Sequence, residues 1–140
     1  MLKPIAVLLA ATAMLSPPVH AQDNAVAVAA ATDSATRWLA VADAGKWGES
    51  WEQLAPASQA AVTRDAWSSG LPPVRAPLGA VRSRKLQSAT FTNKMPNAPA
   101  GDYVVIQYAT EFANKPQSVE TVVPMRLPDG SWKVSGYFIR

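Results

Sequence analysis

The stretch 117–140, QSVETVVPMRLPDGSWKVSGYFIR, decides the fold class. Asp129-Gly130 at its centre is a hairpin turn pair, because both residues tolerate the positive φ of a tight primed turn. Before the turn, Val119, Thr121, Val123, Met125 and Leu127 alternate along 117–127, which predicts one apolar face of a strand. After it, Trp132, Val134, Gly136 and Phe138 share a face of a second strand. Pro124 cannot donate to a sheet ladder, so a bulge or a strand end is expected there.

Working toward the N-terminus, residues 113–116 form a tight turn, and 102–112 place Val104, Ile106, Tyr108 and Phe112 on one face of another strand. A loop with Pro96, Pro99 and Gly101 separates it from a first strand over 81–93. There Arg82 and Arg84 share a parity with Leu86, so the alternation is poor and a bulge or edge position is expected. Glu111 and Glu120 fall on the parity opposite the apolar sets and are expected to face away from the helices. On that face they would pair with Arg126, Lys133 or Arg82, an arrangement worth ~0–1 kcal/mol. Tyr103 and Tyr137 are expected on the same polar faces.

Upstream of residue 81 the period changes from two to that of a helix. Thr32, Asp33 or Ser34 can cap a helix whose apolar positions Ala35, Trp38, Leu39 and Ala42 recur at helical spacing, with an Asp33–Arg37 pair outside and Gly45 as the stop. A short second helix covers 47–54, with Trp47, Trp51 and Leu54 on one side. Pro56 suits the first turn of a third, running to about Trp67 with Ala57, Ala60, Ala61 and Trp67 inward. Residues 70–77 hold three prolines and one glycine and are expected to form a rigid connector without helix. Three helices followed by four antiparallel strands predict an α+β domain over 34–140, its helices packed on a curved sheet.

The first 21 residues are expected to be a cleavable export signal: Lys3, an apolar run over 5–15, Pro17-Pro18, and Val19-His20-Ala21 before the cut. The run is short of the ~18–20 residues that span a bilayer, so a soluble periplasmic product starting at Gln22 is expected. Residues 22–33 are expected to be a flexible lead-in or the frayed start of the first helix.

Composition narrows the chemistry. Loss of Lys3 lowers the net charge from +3 to +2, too little for a dedicated nucleic-acid binder. Arg75, Arg82, Arg84 and Lys85 cluster, but no aromatic residues interleave them to stack bases, and a solvated strand face is the expected reading. His20, the one histidine, leaves with the signal, and there is no cysteine. Imidazole general bases, Ser-His-Asp triads, thiol catalysis and His- or Cys-ligated metals are therefore excluded. Six Asp and four Glu lack the dense spacing of a calcium loop, and no glycine-rich phosphate loop is present. No metal site and no cofactor are implied.

The candidate residues each carry two readings. Trp47 and Trp51, four apart on one helical face, either line a ligand pocket or belong to the core, and core is the default for that spacing. Asp43 and Lys46 beside Gly45 either stabilise the turn or function. Asp43, Asp65 and Glu111 are the acids to consider for carboxylate catalysis, with Tyr108 or Tyr137 as hydrogen-bond donor. Trp47, Trp51, Tyr108 and Tyr137 are the candidates for ligand contact.

In its element order the chain looks like the cone-shaped nuclear-transport-factor-2-like superfamily. Particular residues are similar to a bacterial exported family, domain of unknown function 4019: Trp38-Leu39, Asp43-Ala44-Gly45-Lys46, Glu49-Ser50-Trp51, Arg75 with Pro77-Leu78-Gly79, Arg82 and Arg84. The C-terminal half adds Gly101-Asp102-Tyr103-Val104, Gln107-Tyr108, Phe112, Asn114-Lys115, Glu120-Thr121-Val122, and Asp129-Gly130 with Trp132-Lys133-Val134 and Gly136-Tyr137-Phe138-Ile139. The resemblance implies no reaction, cofactor or catalytic residue.

Three function classes follow. The first is a non-enzymatic periplasmic binding or accessory domain for a small apolar ligand or a protein partner, favoured by the negative chemistry and the many Trp and Tyr. The second is a carboxylate isomerase or dehydratase, in which burial raises one acid into the general-base range. The third is an envelope protein acting by association of its sheet, with a homodimer as one form.

Overall fold

The structure, a computed structural model, describes residues 15–16 and 18–140. Lys3, all but the last residue of the apolar run 5–15, and Pro17 of the expected export signal lie outside the described residues. The architecture is α+β: α1 Val19–Asp43, α2 Trp47–Glu52, α3 Pro56–Ala61, α4 Arg64–Gly70, α5 Pro72–Arg75, a 3₁₀ turn Ala76–Leu78, then β1 Val81–Thr92, β2 Tyr103–Phe112, β3 Lys115–Arg126 and β4 Trp132–Ile139. The strands form one antiparallel meander in the order β1-β2-β3-β4.

The first helix differs from expectation at its start. It runs unbroken from Val19, so residues 22–33 are helical and no cap forms at Thr32, Asp33 or Ser34. Those side chains are used otherwise: Thr32 Oγ1 donates to the Val28 carbonyl (2.7 Å) and Ser34 Oγ to the Trp132 carbonyl (2.7 Å). Alanine outweighs the missing cap, since a run of small, good helix formers keeps α1 continuous. Its end follows the expected rule. Gly45 takes φ 71° and donates to the Ala42 carbonyl, while the Lys46 N–H reaches the Val41 carbonyl, a Schellman closure.

The expected third helix is two. Thr63 leaves the α3 course and caps α4, its side chain accepting from the Ala66 N–H, a bond that sets a new helix start. The expected helix-free connector contains α5 and the 3₁₀ turn, because Pro72 and Pro77 occupy opening turns, where a missing N–H costs nothing. Gly79 at φ 78° ends this segment, and the β2–β3 hairpin holds it: Asn114 N–H donates to the Leu78 carbonyl and Asn114 Nδ2 to the Pro77 carbonyl.

The core lies between α1 and the sheet. Ala31, Ala35, Trp38, Leu39 and Ala42 of α1 pack with Val104, Ile106, Tyr108, Val122, Val134 and Tyr137. Three alanines on that stripe let the helix approach the strands closely, and Trp38 packs among them. A smaller cluster of Ala55, Tyr103, Val123 and Met125 covers the opposite face of part of the sheet.

Register shifts interrupt the sheet and bear on which side chains reach the core. In β1 they lie between Val81/Ser83 and Leu86/Ser88, at an edge strand, as the poor alternation implied. The shift between Val123/Pro124 fulfils the expectation at Pro124 and has a larger effect. It places Trp132 and Val134 inward but Gly136 and Phe138 outward, and Tyr137 inward against Val122. The expected single faces of β3 and β4 are therefore corrected. On β3 the inward set is Ser118, Glu120 and Val122, opposite Thr110, Tyr108 and Ile106. Glu120, expected outside, is fully buried.

Candidate functional site

Beside the Trp38 cluster, a set of polar side chains from six elements converges. The C-terminal turn of α1 supplies Asp43, the end of α5 Arg75, β1 Arg84, β2 Thr110, β3 Glu120 and β4 Tyr137. Glu120 is the hub. Its Oε1 accepts from Thr110 Oγ1 (2.6 Å) and Arg84 Nε (2.7 Å), and its Oε2 from Arg84 Nη2 (3.2 Å) and the Tyr137 hydroxyl. Four donors satisfy both carboxylate oxygens, which is what burying that charge requires.

Arg84 is held by two carboxylates at once. Beyond its two bonds to Glu120, Nη1 donates to Asp43 Oδ2 (2.7 Å) and Nη2 to Asp43 Oδ1 (2.9 Å). A guanidinium presents its N–H groups in a planar fork that can serve two such partners, which a lysine cannot do. Arg75 completes the ring: Nη2 donates to Asp43 Oδ1 (3.0 Å) and Nη1 to the Tyr137 oxygen (3.0 Å), with Nη1 4.0 Å from Glu120 Oε2. Its guanidinium carbon lies 5.1 Å from the Phe112 ring centroid and 5.8 Å from that of Trp47. Two carboxylates and two guanidiniums sum to zero charge.

The environment fixes the ionisation states. Burial pushes the Asp43 carboxyl up, but the hydrogen bonds and charges of Arg84 and Arg75 outweigh it and hold Asp43 below the usual carboxylate range. Burial likewise opposes the charge on Arg84, and its bonds to Asp43 and Glu120 overcome that and raise it. The Tyr137 phenol is raised by burial and by the adjacent Glu120 carboxylate, so it stays protonated and donates.

A groove of about 660 Å³ opens to solvent over this cluster, lined by Asp43, Trp47, Arg75, Ala76 and Val81 among others. Side-chain exposure falls from Asp43 (28%) through Arg84 (16%) and Arg75 (9%) to Glu120 (0%), so the network runs from the groove wall into the interior.

A family model described as a protein of unknown function, DUF4019, matches residues 34–137, well over half of the chain. The chain belongs to that family. No curated protein and no solved structure matches it.

Within this DUF4019 domain, the residues singled out from the sequence are dispersed. Asp43, Trp47 and Tyr137 come together at the network and groove. Tyr108 lies in the core, where burial raises its phenol. Trp51 is half-buried, its Nε1 donating to the Val62 carbonyl (2.8 Å). Asp65 is exposed in the first turn of α4, and Glu111 is exposed on the far face of β2 with Ser83 Oγ at 3.4 Å. Neither meets Asp43.

The sequence reading of this DUF4019 chain missed Glu120, Arg75 and Arg84 as parts of one site. A solvated strand face is what the sequence predicts for both arginines, whereas Arg75 is 8% exposed. One signal was present: Glu120 shares a parity with Val122 as well as opposing Val119 and Val123, so apolar residues flank both faces of β3 and parity alone could not assign it. Among the described residues, no group of His, Cys, Asp or Glu could hold a metal ion. No helix among them is long and apolar enough to cross a membrane.

Proposed function

We propose that this chain is an exported, non-enzymatic binding or accessory domain whose ligand seats in the groove over Asp43, Trp47 and Arg75. The observation that carries the reading is the groove itself: an open concavity with an indole in its wall and charged groups that already neutralise one another. Pockets of a few hundred Å³ with an aromatic wall and few polar groups are the usual seats of small ligands.

The carboxylate-enzyme alternative needs an acid whose pKa burial has raised and whose lone pairs are free to take a proton. Asp43 is lowered instead, and Glu120 already accepts four hydrogen bonds. Both facts favour binding over proton transfer. Export is supported by the features of the first 21 residues.

Cell fractionation with N-terminal sequencing tests export: a periplasmic product beginning at Gln22 is expected, and a cytosolic product retaining the leader would contradict it. For binding, the purified protein is screened against small-molecule extracts for saturable binding. Ala76→Trp, which fills the groove from an exposed position, is expected to abolish it. Binding unchanged in that variant would place the ligand elsewhere, and conversion of a bound compound would restore the enzyme reading.

A further inference from the structure

We propose that the groove selects an organic ammonium ion, an amine carrying an apolar body, seated against the open Oδ2 of the Asp43 carboxylate. The inference rests on the groove being the binding site and goes on to assign the chemical class of its occupant.

Three observations point to a cation. The first is the order of exposure. Of the four charged side chains, that of Asp43 is fractionally the most exposed, at 28%, while those of Arg84 and Arg75 are at 16% and 9%. Of the two charged residues that line the groove, Asp43 and Arg75, the acid is therefore the more exposed, although the network as a whole is neutral.

The second is the acceptor inventory of Asp43. Oδ1 accepts from both Arg75 and Arg84, but Oδ2 accepts one N–H, from Arg84. A carboxylate oxygen takes two hydrogen bonds, so Oδ2 keeps one acceptor direction open. An ammonium N–H fits it; a carboxylate or phosphate, with no donor, does not.

The third is placement. Asp43 is the last residue of α1, and Ala42, Asp43 and Gly45 all line the groove, so it lies at the negative end of a long helix. Trp47 lines the groove beside it, its ring facing the Arg75 guanidinium carbon at 5.8 Å, and so reports on an occupant there. Lys46, between the groove residues Gly45 and Trp47, is 62% exposed and has Glu49 at 3.9 Å as its partner. Ala42, Pro72, Ala76, Ala80 and Val81 supply the apolar wall for the body of the ligand.

Three probes of one shape test the class: 2-phenylethylamine, 2-phenylethanol and phenylacetate, titrated at pH 7 into the isotopically labelled protein. The indole N–H signal of Trp47 and the amide signals of Gly45 and Ala76 are followed. The expected result is saturable shifts with the amine, binding about tenfold weaker with the alcohol, and none with the acid. Asp43→Asn is expected to bring the amine down to the level of the alcohol. Should that variant fail to fold, raised ionic strength serves instead, weakening the amine and leaving the alcohol unchanged. Equal binding of amine and alcohol, or preferential binding of the acid, overturns the ammonium assignment and leaves the groove as a site. Absence of shifts with all three probes overturns the assignment and the groove together.

Discussion

Two regions packed side by side in this domain bury polar groups by opposite means. Around Ser50 the currency is neutral: Trp38 Nε1 donates to the Ser50 carbonyl (3.0 Å), Trp67 Nε1 to Ser50 Oγ (3.0 Å), and Ser50 Oγ to the Trp47 carbonyl (2.7 Å). Around Glu120 it is ionic, with four formal charges and a phenol closing one ring of bonds. Tyr137 joins the two, since its ring stands edge-on to Trp38 at 5.0 Å while its hydroxyl serves Glu120. The neutral region holds together elements close in sequence, α1, α2 and α4. The ionic region ties the end of α1 to all four strands and to the proline-rich connector. Long-range closure is where charged, bidentate bonds add geometric specificity beyond what apolar packing supplies.

The largest break in this comparison comes at its hub. Glu120→Ala leaves Arg84 with one carboxylate partner and removes the acceptor of Tyr137, and is expected to cost about 3–5 kcal/mol in chemical denaturation. Pairing it with Arg84→Met should recover part of that loss, because the orphaned charge goes too. No recovery would mean that the two residues act independently.

Next in size is the response to acid. Asp43 has its pKa depressed in the folded state, so its contribution is fully present above the unfolded value of about 3.8 and is lost as pH falls through the folded value. Stability should therefore decline below about pH 4, and Asp43→Asn should flatten that decline. The neutral region should not titrate there, a contrast that residue-specific hydrogen exchange can read.

Ser50→Ala breaks the neutral region more gently. It removes the acceptor of the Trp67 indole and keeps the Ser50 carbonyl for Trp38, so a loss of about 1–3 kcal/mol is expected. Smallest of all should be Ala76→Trp, an exposed change that blocks the groove without touching either network, with a stability change within about 0.5 kcal/mol.

The apolar stripe beside the neutral region was legible in the sequence, and the ionic network was not. Helical spacing marked Ala35, Trp38, Leu39 and Ala42 as a buried stripe, and the Gly45 stop followed from its place after that stripe. Strand count, order and the Asp129-Gly130 turn were equally readable, because alternation and turn chemistry are local. Which face of β3 is inward was not local. It depends on the register shift between Val123 and Pro124, and on Glu120 finding three partners from β1, β2 and β4, 10 to 36 residues away. A buried carboxylate looks like a surface one until its donors are known. Of the site, Asp43, Trp47 and Tyr137 were named in advance, while Arg75, Arg84 and Glu120 gain their meaning only from being brought together. The start of α1 and the break at Thr63 were hidden for a related reason, since capping side chains such as Thr32 and Ser34 serve equally well inside a helix once a neighbour accepts their hydroxyl.

If the groove serves recognition rather than proton transfer, its carboxylate must be locked as an ion by its arginines. Carbon-13 NMR of the Asp43 side-chain carboxyl through an acid titration measures this directly. A midpoint below 3.8, rising in an Arg84→Met variant, is the predicted result. A midpoint above about 5, inside the range of carboxyl general acids and bases, would contradict the account and return the site to catalysis.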